Sequence, residues 1–152
     1  MAVVIPFGKT GMALHQDLSA GEVLESRVGQ LTAAASEDEL VRAAMAAPIG
    51  SPTLCELAAG KRTCTVIISD HTRPVPSRHI VPFMLEELRR GSPDIQITLL
   101  VATGFHRPTS AAELEEKLGR DIVARERIVI HDSRDAASNV NIGVLPSGAD
   151  CV

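Results

Sequence analysis

The sequence predicts an α/β domain, three-layered and Rossmann-like, with a mostly parallel sheet. Three observations point there. Thr63–Ser69 (TCTVIIS) and Ile95–Ala102 (IQITLLVA) are continuous apolar runs of the kind that form strands buried on both faces. Each run passes into a loop rich in turn residues and then into a helical pattern, and a third strand follows at Arg127–His131. This alternation implies right-handed crossovers and a parallel sheet. The apolar content is mostly Ala, Val, Ile and Leu, with three Phe and no Trp or Tyr. Branched aliphatics suit strands covered by helices.

The elements read in order as follows. Ala2–Pro6 is a strand signal, Gly8–Gly11 a turn and Met12–His15 a second apolar stretch, together a hairpin. Residues 22–31 continue in extended or short helical form. Ser36 and Glu39 form a capping box ahead of LVRAAMAA, and Pro48 with Gly50 ends that helix. A short helix fits Thr53–Ala59, closed by Gly60. After the first buried strand, a helix spans roughly 78–90, with Pro82 either in its first turns or kinking it. After the second, Ser110 and Glu113 open a helix that runs to Leu118, with Gly119 behind it. The third strand leads into a polar loop, DSRDAASN. VNIGVLPSGADCV then reads as a hairpin turning near Ser147 and Gly148.

Composition excludes several classes. The formal charge is −4, and no basic stripe or aromatic platform suits nucleic acid. No apolar run reaches transmembrane length, and the N-terminus carries no signal-peptide pattern. Cys55, Cys64 and Cys151 are odd in number and lack C-x-x-C spacing, so they read as reduced, mostly buried thiols of a cytoplasmic protein. Gly8-Lys9-Thr10 lacks the first glycine of a P-loop, and no G-x-G-x-x-G follows either strand. No G-x-S-x-G elbow and no His/Cys cluster with metal spacing occur. Cys151 and Val152 open the return arm of a hairpin with no polar tail. The chain therefore reads as cut from a longer protein, the alternative being a short protein with an apolar terminus.

Two loops carry the chemistry: Asp70-His71-Thr72-Arg73-Pro74-Val75-Pro76-Ser77 and Ala102-Thr103-Gly104-Phe105-His106-Arg107-Pro108-Thr109. Both connect a strand to a helix, so both lie at the carboxyl edge of the sheet, where open α/β folds bind ligands. With the strands adjacent, Asp70, Arg73 and His106 can converge on one crevice. Arg73 suits a carboxylate or phosphate, which its planar fork grips bidentately. Histidine is the side-chain type suited to general acid–base work near neutral pH, which makes His106 a candidate. Gly104 permits a backbone conformation that other residues resist. Plainer readings stand beside these: Asp70 bracing the loop through an Asx turn, Arg73 in a surface ion pair, His106 packed within its loop. His71 reads as structural. His131, at the end of the third strand, reads as bonded to backbone.

DHTRPVPS (70–77) and ATGFHRP (102–108), with PFGKTG (6–11) and LPSG (145–148), closely resemble the N-terminal half of the lactate racemase family. The resemblance spans nearly the whole chain. It implies that residues 1–152 are the N-terminal domain of a two-domain racemase whose C-terminal domain is absent from this chain. The family interconverts D- and L-2-hydroxy acids by proton-coupled hydride transfer. Its cofactor is a nickel-pincer nucleotide, a pyridinium mononucleotide holding nickel through sulfur, carbon and sulfur. By motif match, His106 is one of two acid–base histidines and Arg73 holds the substrate carboxylate. Asp70 is implied to contact the cofactor or order the loop, and Thr72, Thr103 and Gly104 to contact the cofactor. The tethering lysine, the nickel-binding histidine and the second acid–base histidine belong to the missing half, so no metal ligand is assigned here and the isolated chain is expected to be inactive. The expected partners are a small 2-hydroxy acid and the C-terminal domain. A racemase or epimerase of another 2-hydroxy acid or a sugar acid, and a non-catalytic carboxylate- or phosphate-binding module, are the alternatives.

Overall fold

The computed structural model describes residues 3–7, 10–15, 24 and 26–151. The chain divides into two compact units, residues 1–34 and 35–152. In the first unit, β1 (Val3–Phe7) pairs antiparallel with β2 (Thr10–Leu14), the hairpin expected from sequence. Its turn residues Gly8 and Lys9, and most of the 22–25 stretch, lie outside the described residues. A short 3-10 turn covers Val28–Gln30.

The second unit begins with α1 (Glu37–Ala46). Ser36 and Glu39 form the expected reciprocal capping box, and Glu37, Asp38 and Glu39 face the positive end of the helix dipole. The next helix, α2 (Leu54–Ala58), is opened by a capping box between Thr53 and Glu56. The sheet consists of β3 (Thr63–Ser69), β4 (Gln96–Ala102) and β5 (Arg127–Ile130), all parallel, in the order β3-β4-β5. Between the strands lie α3 (Ser77–Gly91), then α4 (Ala111–Leu118) and α5 (Arg120–Arg125). The α/β class and the parallel sheet are as the sequence reads.

Alternation along the strands decides which face is the core. Val66 and Ile68 of β3 and Ile97, Leu99 and Val101 of β4 are buried against Ala58, Val81, Leu85, Leu88, Leu114, Leu118 and Ile122 from the helices. The other alternates, Ile67, Leu100 and Val129, form a row across the opposite face, where Ile67 is 69% exposed. Sheet and helices thus supply two layers.

Three details refine the sequence reading. Pro82 stands beyond the first turn of α3 and is exposed, so the Arg78 carbonyl that loses its intrahelical donor faces water. Gly119 ends α4 at φ 89°, but the chain resumes at once as α5, which sequence reasoning missed. The last residues form β6 (Gly143–Val144) and β7 (Asp150–Cys151), turning at Gly148 with φ 85°.

Helix α2 docks on α3 through a glycine. A Cβ added at Gly91 would meet the backbone carbonyl of Cys55 and come within 2.9 Å of the Ala58 Cβ. Because the obstacle is backbone, no side-chain rotation relieves it. Gly91→Ala is therefore expected to cost about 1–3 kcal/mol of unfolding free energy as overpacking, measured by urea denaturation. An unchanged midpoint would show that α2 is free to shift.

Candidate functional site at the carboxyl edge of the sheet

The last paired residues of β3 and β4 are Ser69 and Ala102. The next residues, Asp70 and Thr103, leave the sheet side by side, and the two loops interlock above it. Asp70 is 1% exposed. Its Oδ1 accepts from the Thr72 amide at 3.0 Å and the Thr72 hydroxyl at 2.7 Å. Its Oδ2 lies 2.5 Å from His106 Nδ1. The Thr72 hydroxyl and, next in strength among the favourable contacts, His106 stabilise the carboxylate. They outweigh the opposing effect of burial and hold its pKa at about 2. An ionised carboxylate only accepts, so His106 Nδ1 carries the proton and the Thr72 oxygen, 3.4 Å away, receives a share of it. In the neutral ring, Nε2 is then the unprotonated nitrogen. The His106 side chain is about half exposed.

Further bonds fix the loops to each other and to the sheet. His71 Nδ1 lies 3.1 Å from the hydroxyl of buried Thr109. The buried Thr103 hydroxyl donates to the His131 carbonyl at 2.5 Å, and the Thr103 carbonyl accepts from the His106 amide at 3.0 Å. His131 continues the ladder, its amide donating to Val101. Gly104 takes φ 55°, and its carbonyl accepts from the Ser133 hydroxyl at 2.7 Å.

The structure therefore brings Asp70, Thr72 and His106 into direct contact. Thr103 and Gly104 border them. Arg73 is exposed on the same loop but lines a neighbouring cleft of about 250 Å³ with His71, Val75, Glu113, Glu116 and Lys117. Its guanidinium has no hydrogen bond or ion pair among the described residues. Arg107, one residue beyond His106, is instead taken by Glu113 in a bidentate pair. Arg107 first, then Ser110, hold the Glu113 carboxyl well below its ordinary range. The sequence expected Asp70, Arg73 and His106 on one crevice; Asp70 and His106 are in contact, whereas Arg73 lines the neighbouring cleft, which neither of them lines.

Two residues here escaped sequence reasoning. Lys117 donates to the Arg73 carbonyl at 3.2 Å. Its only sequence signal is its place on the helix following the second loop. Phe105 stands beside His106 at 83% exposed. A large apolar side chain inside a polar loop was the signal for it.

Among the described residues, no group of three or more His, Cys, Asp or Glu side chains is arranged to hold a metal ion, and no helix is long and apolar enough to cross a membrane. The three cysteines are free and half-buried.

Asp70 and His106 thus lie beyond the carboxyl ends of the parallel strands, the edge at which open α/β folds bind ligands. Residues 7–152 match the family described as the lactate racemase N-terminal domain, and the chain belongs to that family. It is 47% identical over 153 residues to a lactate racemase of Lactiplantibacillus plantarum, covering 100% of this chain and 36% of that protein. To a lactate racemase of Thermoanaerobacterium thermosaccharolyticum it is 42% identical over 147 residues, covering 96% and 34%. The solved structure of the lactate racemase apoprotein from Thermoanaerobacterium thermosaccharolyticum matches with a TM-score of 0.83 at 39% identity, over 99% of this chain and 34% of its own. A Thermotoga maritima protein of known structure shares the fold at a TM-score of 0.53 and 21% identity. The chain spans about a third of the length of the curated relatives it matches.

The Asp70 pair has a signature in acid. The folded pKa is depressed from 3.8 to about 2. Its stabilisation is therefore present above the unfolded value and lost as pH falls through the folded one. Urea unfolding of the wild type and Asp70→Asn across this range is expected to show a stability difference that grows from about pH 2 to about pH 4 and is level above. A difference independent of pH there would show that Asp70 is not held by these contacts.

Proposed function

We propose that this chain is the N-terminal domain of a two-domain, cytoplasmic racemase interconverting D- and L-2-hydroxy acids, lactate first among them, and that it acts only with a C-terminal domain. The observation that carries the reading is the Asp70–His106 pair in a chain of this family. It yields a histidine with one nitrogen fixed by a carboxylate and the other free to exchange a proton.

In this reading His106 Nε2 takes the proton of the substrate hydroxyl on one side of the reaction and returns it on the other. Asp70 keeps the ring in its Nδ1–H form and stabilises the imidazolium that results. Asp70 is a positioning residue, because its carboxylate oxygens are both engaged by its own neighbours. Arg73, with no partner among the described residues, grips the substrate carboxylate through its fork. Phe105 is the apolar rim that, once covered, keeps water from His106.

The family's nickel-pincer nucleotide fits this edge in one respect. Thr72 and Gly104 are exposed, open space surrounds the Gly104 Cα, and the Gly104 and Phe105 amides donate to no described acceptor. Such a rim suits the hydrogen-bonding organic part of a nucleotide rather than a metal. Thr72 and Gly104 would hold it, braced from beneath by Asp70 and Thr103. When bound, the group supplies the hydride acceptor for the substrate Cα. Metal ligands and the covalent tether are assigned to the C-terminal domain.

The test is made on the full-length enzyme carrying this domain, with nickel occupancy checked in each variant. His106→Ala is expected to lower turnover about 10²–10⁴-fold with little change in Michaelis constant. Arg73→Ala is expected to raise the Michaelis constant, with turnover falling only as far as orientation suffers. The 152-residue chain alone is expected to racemise nothing. Full turnover by a nickel-loaded His106→Ala enzyme would make His106 a structural loop residue.

A further inference from the structure

We propose that Lys117 is a positioning residue that fixes where the Arg73 side chain leaves its loop by holding the peptide between Arg73 and Pro74. The inference rests on the reading of Arg73 as the carboxylate-binding group. It goes beyond it in naming what aims that group.

The argument begins with the proline. The Arg73–Pro74 peptide has no N–H, so its single hydrogen-bonding handle is the Arg73 carbonyl. Lys117 Nζ donates to that oxygen at 3.2 Å across a long sequence separation. On the other side of the Arg73 Cα, the amide makes only a long turn bond of 3.4 Å to the Asp70 carbonyl. The guanidinium has no side-chain partner among the described residues. The backbone sets the Cα–Cβ vector from which that flexible side chain starts, and Lys117 holds the backbone. An ammonium–carbonyl bond is charge-assisted and stronger than a neutral one.

The surroundings suit a structural cation. Lys117 is half-buried on α4 and shares the cleft with His71, Val75, Glu113 and Glu116. Glu113 is occupied by Arg107 and Ser110. Burial pulls the Lys117 pKa below its ordinary value, and the Asp70 carboxylate works the other way. Lys117 thus ties the helix that follows the His106 loop to the loop that carries Arg73. The same two segments are joined by Asp70 to His106 and by His71 to Thr109. The acid–base and carboxylate-binding residues are in this way referred to one frame.

The experiment uses the full-length, nickel-loaded enzyme and three variants, Lys117→Met, Lys117→Arg and Arg73→Ala. Methionine keeps the aliphatic stem and removes the charge, and urea midpoints verify that each variant folds. The readouts are turnover, the Michaelis constant for lactate, and the calorimetric affinity for oxamate, a non-reacting carboxylate. Lys117→Met is expected to weaken oxamate binding and raise the Michaelis constant by about tenfold, the equivalent of about 1.4 kcal/mol, with turnover within about threefold. Lys117→Arg is expected to restore most of the affinity. If Arg73→Ala weakens oxamate binding and Lys117→Met does not, the inference fails and the Arg73 reading stands. If Arg73→Ala leaves oxamate binding unchanged, the reading fails and takes the inference with it. A Lys117→Met enzyme with intact affinity and reduced turnover also overturns it.

Discussion

The pairing of β3 with β4 is the constraint on which the site depends. Neighbouring strands lie about 5 Å apart, so the residues that leave them together are within hydrogen-bonding reach of each other's loops. Ser69 opposite Ala102 places Asp70 beside Thr103 and lets His106 fold back over it. The register is itself fixed by burial. Val66, Ile68, Ile97, Leu99 and Val101 must face the helices, and a one-residue slip of β3 would turn Ile67 inward and two buried side chains out. Hydrophobic alternation beneath the loops thus sets the distance between a carboxylate and an imidazole above them.

Burying Asp70 is tolerable only because its oxygens are met. An unpaired carboxylate in that position would be costly. Here a backbone amide, a hydroxyl and a ring nitrogen converge on it, all from residues that the two loops supply. The arrangement works in both directions. His106 is one of the groups that compensate the buried charge, and the buried charge holds His106. Thr103 on the His131 carbonyl and Ser133 on the Gly104 carbonyl extend the bracing to the end of β5. A half-exposed histidine is in this way seated on rigid parts, which proton transfer at a defined atom requires.

Much of this was legible in the sequence where a short-range rule applies. The Ser36–Glu39 and Ser110–Glu113 capping boxes follow from spacing, and the buried strands from apolar runs. The motif residues were found because strand-to-helix loops lie at one edge. What was missed depends on geometry that spacing does not encode. α5 restarts directly after Gly119 without a side-chain cap, so no start signal marks it. Thr103 was grouped with the ligand-facing residues, yet its hydroxyl points to the His131 carbonyl, a bond between strands 28 residues apart. Lys117 is an ordinary charged helix residue until the tertiary fold brings it to Arg73.

The two loops share a feature that explains why Arg107 is paired and Arg73 has no partner among the described residues. Each carries arginine followed by proline and then a serine at a helix start: Arg73, Pro74 and Ser77 in one, Arg107, Pro108 and Ser110 in the other. In the second loop the residue three beyond the serine is Glu113, which closes a capping box and grips Arg107 through both oxygens. In the first loop the residue at the same distance from the arginine, third in α3, is His79, which offers no carboxylate, and α3 begins without a side-chain cap. A similar local pattern therefore yields a structural arginine where an acid completes it and, where none does, an arginine with no partner among the described residues. An exposed guanidinium is hydrated by solvent and stays available to a carboxylate that arrives with a ligand. The acid of the second loop, glutamate where the first has histidine, separates the arginine that braces the His106 loop from the arginine assigned to substrate.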